Sequence, residues 1–495
     1  MKKVTNYLLM AALLIGFAAC NNEDVPEVDN NEGNTYASLT IGYAPMKSPV
    51  AKSTRAVSDS SFEGTEAEKN VTSITLFGEP TAFGETTATT NKLFENPSFK
   101  DNLWTVKAWA TIAGTRSFGL GLNFATPDVD LTKETNTTGA ILGGAITDYV
   151  TTGAIAMSST EVKKQTINNG VSEEQADSAK STAHNLVHFD VKRVVAKAAV
   201  RAGALSFSVT EGNSGPTLGS FSDLSFAPTN LSKETFLFEK DEMDPKMLEE
   251  TAAAVTNADN YARLGDDGLK DLVKPDTTTA YHPYKAVPMN LTSEALADIE
   301  GNYFFENIEK ALFWGNITYM KVYGTFTPAT DQIQQLNAEG PTLENPDDFT
   351  AGTSFSKGAF DGKLYTTLAA AQFAVPGQKA YKYEGGRMGY RVLVYQDPAG
   401  ADFDTKSTPV TNADVKRNYF YILDITAIQG LGFNYDGNDS NDPNLPKPTG
   451  ADTDEPVDPE DGVVADTPIN STDTYMRVQA TVLPWTVVGR DVVLK

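Results

Sequence analysis

The chain has one cysteine, Cys20, and three histidines, His184, His188 and His282, in 495 residues. A single cysteine excludes an intramolecular disulfide and any metal site built from several thiolates. His184 and His188 stand four apart, the spacing of two ligands on one helical face. The surrounding NLVHFDV reads instead as a strand, where such positions lie far apart. No HExxH frames them, no GxSxG supplies a nucleophile elbow, and no glycine-rich loop ends in Lys-Ser or Lys-Thr. GLGLNF (119–124) lacks the third glycine of a dinucleotide turn. Acids are spread along the chain and no carboxylate pair stands out. The expectation is a chain that is not an enzyme, with no cofactor and no metal site. Bases are scarce too: 40 Lys and Arg against 65 Asp and Glu leave a net charge of −25. That balance excludes the basic footprint nucleic acid needs and suits a soluble, self-repelling surface.

The lone cysteine has informative neighbours. Lys2 and Lys3 give a positive start, YLLMAALLIGFAA is an apolar run too short to span a bilayer comfortably, and Ala18 and Ala19 precede Cys20. Residues 1–20 therefore read as a secretion signal. They resemble a bacterial lipobox, with Phe17 where leucine is usual. That resemblance implies acylation of Cys20 and a precursor held on the outer membrane through the lipid. The NNED that follows resembles a surface-export signal of the Bacteroidetes.

Residues 21–34 are acidic and Asn-rich. TYASLTIGYA (35–44) then alternates, with Ala37, Leu39, Ile41 and Tyr43 on one face, as a strand does. A linker of small residues follows, and within it lies Arg55, the first arginine of the chain; the next is Arg116. The body opens at GTEAEKNVTSITLFGE, whose polar lead runs into a strand over Val71–Phe77. Further strands are expected at 103–112, 185–202, 205–210, 303–308, 316–328, 385–397, 417–432 and 474–488. Two segments, 160–183 and 243–264, read as exposed surface helices from their Glu, Gln and Lys content. No helix regularly separates the strands, so an antiparallel β-sandwich fits better than a βαβ order. A domain boundary is expected near 293, giving an N-terminal domain 56–292 and a C-terminal domain 293–495. Residues 434–470 carry ten acids, one lysine and repeated prolines, the composition of an exposed, extended loop. Asp436, Asn438 and Asp442 in its opening make a weak calcium candidate; the closing Glu and flanking helices of an EF-hand are absent.

The strand–tether–arginine arrangement is where a family comes into view. The chain resembles the fimbrillins, the stalk subunits of type V pili in Bacteroidales. GTEAEKNVTSITLFGE resembles their first mature strand, and VHFDVKRVVAKAAV (187–200) is similar to their V-x-R-x-VAK-V strand. YKYEGGRMGYRVLVY (381–395) and RNYFYILDITAIQGLG (417–432) resemble their C-terminal Gly-Gly and Arg-Asn-x-x-Tyr segments, and VQATVLPWTVV (478–488) their closing Val-x-Trp strand. The resemblance implies a mainly β chain of two transthyretin-like, Greek-key antiparallel β-sandwich domains with a few surface helices. It implies residues 21–55 as a propeptide, cut between Arg55 and Ala56 by an arginine-specific protease, so that the strand 35–44 leaves. The tail 474–495 of a neighbouring copy, ending in Val487, Val488, Val492, Val493 and Leu494, would then fill the slot as a donor strand. The implied partners are other copies of the chain, anchor and tip subunits, and the protease, at a cell-surface fimbrium. Two alternatives stand beside the stalk subunit: a surface lipoprotein that binds glycans, and a fimbrial anchor or tip subunit. A removable strand with an arginine address is needed by neither a glycan binder nor an anchor.

Overall fold

The computed structural model describes residues 35–44, 66–80, 89–100, 103–123, 129, 131, 139–177, 183–212, 214–240, 243–245, 260–262, 284–288, 301–309, 316–394, 413–434, 479–484 and 487–494. Within them the chain is mainly β and of the sandwich class expected from its sequence. The principal strands are β1 (Thr35–Tyr43), β2 (Ser73–Pro80), β3 (Thr89–Glu95), β4 (Ser98–Lys100), β5 (Leu103–Thr111) and β6 (Gly114–Leu122). They continue with β7 (Met157–Ser159), β8 (Lys163–Ile167), β9 (Leu186–Arg193), β10 (Val195–Ala202), β11 (Ser206–Thr210) and β12 (Thr217–Thr229). The last six are β13 (Asn302–Phe305), β14 (Tyr319–Pro328), β15 (Arg387–Leu393), β16 (Tyr419–Ile428), β17 (Gln479–Pro484) and β18 (Val487–Leu494). Two short helices accompany them, α1 (Glu66–Lys69) and α2 (Leu368–Ala374), the second capped by the Thr367 hydroxyl, which accepts from the Ala370 amide.

Two large sheets form. The first runs β3-β2-β6-β7-β9-β1-β5-β4, with β8 paired to β6. Its core is an apolar cluster that includes Leu39, Ile41, Leu76, Trp104, Trp109, Phe118, Val187 and Phe189. The second has β10-β16-β11-β12-β14-β15 as its central run; β13 pairs with β10, and β17 and β18 pair with β16 and with each other. Its core is larger: β10 to β16 contribute much of it, and Phe77 of β2, Leu142, Ile146, Tyr149 and Phe238 join it.

One continuous stretch passes from the first sheet to the second. β9 ends at Arg193, Val194 is fully buried, and β10 begins at Val195. Asn418 covers this switch. Its Oδ1 accepts the Arg193 amide at 3.1 Å, and its own amide donates to the Val195 carbonyl at 2.8 Å. The residue sits at φ 62°, a left-handed geometry that asparagine tolerates better than most side chains. β10 reads VAKAAVRA and is buried along nearly its whole length, as expected of a strand in parallel register with a neighbour and covered on both faces. Sheet membership therefore changes at Val194. Strands from 195–229, in the segment expected as N-terminal, hydrogen-bond into the sheet that carries the C-terminal strands.

Buried charges tie distant segments together. Arg417 is fully buried and pairs with Glu306; it also donates to the Phe236 carbonyl and the Thr235 hydroxyl, each at 2.6 Å. Thr235 in turn donates to Glu306 at 3.0 Å. Lys197 donates to Glu68 at 2.9 Å, Tyr303 donates to the same oxygen at 2.6 Å, and the Lys197 ammonium lies over the Phe420 ring. Arg201 holds Asp424 through two bonds of 2.6 and 2.7 Å. Burial raises the Asp424 carboxyl above the usual aspartate range, and Arg201 acts against that.

Among the described residues of 160–183 the expected helix is not formed. Lys163–Ile167 is a strand, antiparallel to Gly114–Phe118. Thr115 and Thr166 pair hydroxyl to hydroxyl at 2.7 Å, and Lys163 donates to the His188 carbonyl at 2.7 Å. An edge waiting to be paired outweighs helical composition here. In the other expected helix, 243–264, Tyr261–Ala262 is a two-residue strand paired with Leu231–Ser232, and most of the rest lies outside the described residues.

Breaking a buried ion pair strands the partner charge, so Glu306→Ala is expected to lower the unfolding free energy by roughly 3–5 kcal/mol. Glu306→Leu combined with Arg417→Met should lose far less, which urea titration of the single and double variants would measure.

Candidate functional site

β1 is an internal strand. On one side it runs parallel to β9, with Leu39 opposite Val187, Thr40 opposite His188 and Ile41 opposite Phe189. On the other it runs antiparallel to β5, with Ala37 opposite Trp109, Leu39 opposite Val106 and Ile41 opposite Trp104. The register shifts between Ala37 and Leu39, where two β5 residues face Ser38. Ala37, Leu39 and Ile41 have no exposed surface. The alternation visible in TYASLTIGY thus places an apolar face against the core of the first sheet.

Both ends of β1 are fixed by side chains. Thr35, at the start, is fully buried. Its hydroxyl donates to the Asn168 carbonyl at 2.8 Å and accepts from the Val171 amide at 3.1 Å and from Asn185 Nδ2 at 3.3 Å. One donor and two acceptor positions are thereby filled, which is the full capacity of a hydroxyl. Asn185 also donates to the Tyr36 and Asn168 carbonyls, each at 2.9 Å, and accepts from the Asn168 amide at 2.8 Å. At the far end the Tyr43 ring stands edge-on to Trp104, centroids 4.8 Å apart, and the Arg193 guanidinium lies 5.4 Å from the Tyr43 ring centroid. Arg193 also donates to the Glu68 carbonyl at 2.9 Å. Burial lowers the Arg193 guanidinium from the usual arginine range, while Tyr43, Glu68 and Tyr303 act in the opposite sense. Midway, the Thr40 hydroxyl and His188 Nδ1 are 2.9 Å apart, and His188 Nε2 is 3.4 Å from Asp190.

The C-terminal strands occupy the other sheet. β18 runs parallel to β16: Val487 faces Phe420, Val488 faces Tyr421, Val492 faces Ile425, Val493 faces Ala427 and Leu494 faces Ile428. β17 pairs antiparallel with β18 and touches β16 at Pro484. The last strand of the chain thus covers an edge of β16, whose other side is paired with β10.

This C-terminal arrangement coincides with a known sequence family. Residues 381–491, which include β15, β16, β17 and most of β18, match the family model described as "Major fimbrial subunit protein type IV, Fimbrillin, C-terminal". The C-terminal part of the chain thus matches the fimbrillins. The proteins that the model describes are major subunits of fimbriae. Among solved structures, the chain is similar to a fimbrilin, FimA, of Porphyromonas gingivalis, at 14% identity over 92% of this chain and 99% of that one, with a TM-score of 0.38. A candidate cell adhesion protein of Parabacteroides distasonis gives 12% identity, 92% and 99% coverage and a TM-score of 0.40. The tip fimbrial protein Mfa3 of Porphyromonas gingivalis gives 12%, 79% and 94%, with a TM-score of 0.32.

Of the residues singled out in the sequence, Cys20, Arg55, Ala56, Asp436, Asn438 and Asp442 lie outside the described residues. Val487, Val488, Val492, Val493 and Leu494 lie together on β18. Sequence reading found β1 but missed the cradle around Thr35. Asn185 precedes a strand at φ 52°, so an asparagine just before an alternating run was the available signal.

Leu39→Ala should lower the unfolding free energy of the uncut chain by roughly 2–5 kcal/mol, because it opens a cavity in a closed core. Thr40→Ala should cost no more than about 1.5 kcal/mol, a single hydrogen bond to a half-exposed histidine. Urea titration followed by tryptophan fluorescence checks both.

Proposed function

We propose that this fimbrillin is a structural stalk subunit that polymerises by strand exchange. The observation that carries this reading is the position of β1. It lies between β9 and β5, is buried on its apolar face, and joins the body only through the segment that contains Arg55. On this reading the chain is exported as a lipoprotein acylated at Cys20. An arginine-specific protease then cuts between Arg55 and Ala56, and β1 departs with residues 21–55. The slot so opened has two rows of unpaired backbone groups and an apolar floor, a costly surface in water. The tail 474–495 of a second copy fills it by β-augmentation.

β1 and the tail strands β17 and β18 lie in different sheets of one molecule. A contact between unlike surfaces does not close on itself, so repetition builds a filament. Anchor and tip subunits would occupy its ends, and the two units, 56–292 and 293–495, would serve mainly as acceptor and donor. Supporting adhesion follows from the filament rather than from a ligand pocket.

Brief treatment of the chain lacking residues 1–20 with an arginine-specific protease should give a new N-terminus at Ala56. It should also give a ladder on an unboiled gel and filaments by electron microscopy, and Arg55→Ala should abolish both. A chain cut at Arg55 that stays monomeric would overturn the reading.

A further inference from the structure

The strand-exchange reading leaves open which part of the tail enters the slot, and in which register. We propose that the slot of one copy selects Thr474–Val482 of another, because Asn168, Val171 and Asn185 together receive one buried threonine hydroxyl. The inference rests on the strand-exchange reading and narrows it to one segment.

The cradle is specific in its chemistry. It offers one acceptor, the Asn168 carbonyl, and two donors, the Val171 amide and Asn185 Nδ2, all directed at the Thr35 hydroxyl. A strand without a hydroxyl at that place would leave the buried Val171 amide without this acceptor and take one partner each from Asn185 Nδ2 and the Asn168 carbonyl, which still have each other. A strand with one fixes its own register, since a slip by a single residue also turns its apolar face outward.

Within the tail, Thr474 answers this requirement. Written from their threonines, the two segments are TYASLTIGY (35–43) and TYMRVQATV (474–482). Both open Thr-Tyr. The inward set Ala37, Leu39, Ile41 and Tyr43 becomes Met476, Val478, Ala480 and Val482, apolar throughout. Met476 is larger than Ala37 and Ala480 smaller than Ile41, so volume is redistributed along the face. Thr481 takes the place of Gly42, where a Cβ would meet the movable end of Leu103 at 3.3 Å. Arg477 takes the place of buried Ser38, beside the register shift with β5, and its stem must run out past exposed Lys107. The last strand, VVGRDVVL, fits worse. One of its faces carries Arg490 and the other Asp491, so either orientation sends a charge toward Trp104 and Trp109. Entry of 474–482 requires β17 to leave its pairing with β18.

Peptides test this without perturbing the acceptor. The full chain lacking residues 1–20, cut at Arg55, is titrated with labelled peptides 33–44, 472–484 and 485–495, and binding is read by fluorescence anisotropy. Peptide 472–484 should bind, and its Thr474→Ser variant should match it. Its Thr474→Val variant should bind about tenfold or more weakly, a difference that Asn185→Gly in the acceptor should shrink without abolishing, since the Asn168 carbonyl and Val171 amide remain. An acceptor that takes back 33–44 but not 472–484, that prefers 485–495, or that binds the Val variant as well as the parent overturns the inference while leaving strand exchange standing. An acceptor that takes none of the three overturns the strand-exchange reading, and the inference with it.

Discussion

An internal β-strand must satisfy two edges at once, and in this protein that demand falls on a segment at the start of the chain. β1 pairs with β9 on one side and β5 on the other, so neither neighbour is complete without it. The backbone groups facing the slot are among the most expensive to leave bare, because they are numerous, aligned and backed by a dry core. The two strands beside it depend on that occupancy. Trp104 and Trp109 are buried because Ile41 and Ala37 stand opposite them, and the Asn185 cradle has its partners because Thr35 sits in it.

The walls of the slot are held from outside it. β9 continues through Val194 into β10, and β10 is clamped between β13 and β16 in the second sheet. Asn418 pins the joint through the Arg193 amide and the Val195 carbonyl. Glu68 on α1 links Lys197 on β10 to Tyr303 on β13, and its carbonyl receives Arg193. Pairs of this kind add little net stability over apolar residues of equal volume, but each is costly to break singly. Their geometric effect here is plain: one wall of the slot is an extension of the second core rather than a free edge.

Much of the fold was legible because its signals are local. The alternation of TYASLTIGY, the apolar run of VVAKAAV and the aromatic strands after 316 each declare themselves within ten residues. The helix expected over 160–183 failed for the opposite reason. KKQTI has helical composition but takes its conformation from β6, to which nothing in the segment itself points. The shift of sheet at Val194 was hidden in the same way, since it depends on which strands lie beside β9 and β10. The site divides likewise. β1 could be read from the sequence, whereas the Thr35 cradle joins residues 35, 168, 171 and 185 and exists only once the loops are folded together.

On the proposed route, a cut in the tether would change no contact within the slot. What it changes is concentration. While the chain is intact, β1 is covalently part of the molecule that holds its slot, so rebinding is intramolecular, with an effective concentration on the order of millimolar. Once cut, β1 competes on equal terms with any other strand in solution, and a strand that dissociates is diluted away. Backbone hydrogen bonding does not discriminate between occupants, because each incoming strand can restore the same ladder. Choice must then come from side chains: the apolar face set against Trp104, Val106 and Trp109, and the single hydroxyl received by Asn168, Val171 and Asn185. A slot of this construction separates two tasks, with proteolysis deciding when exchange can begin and side-chain fit deciding which strand ends it.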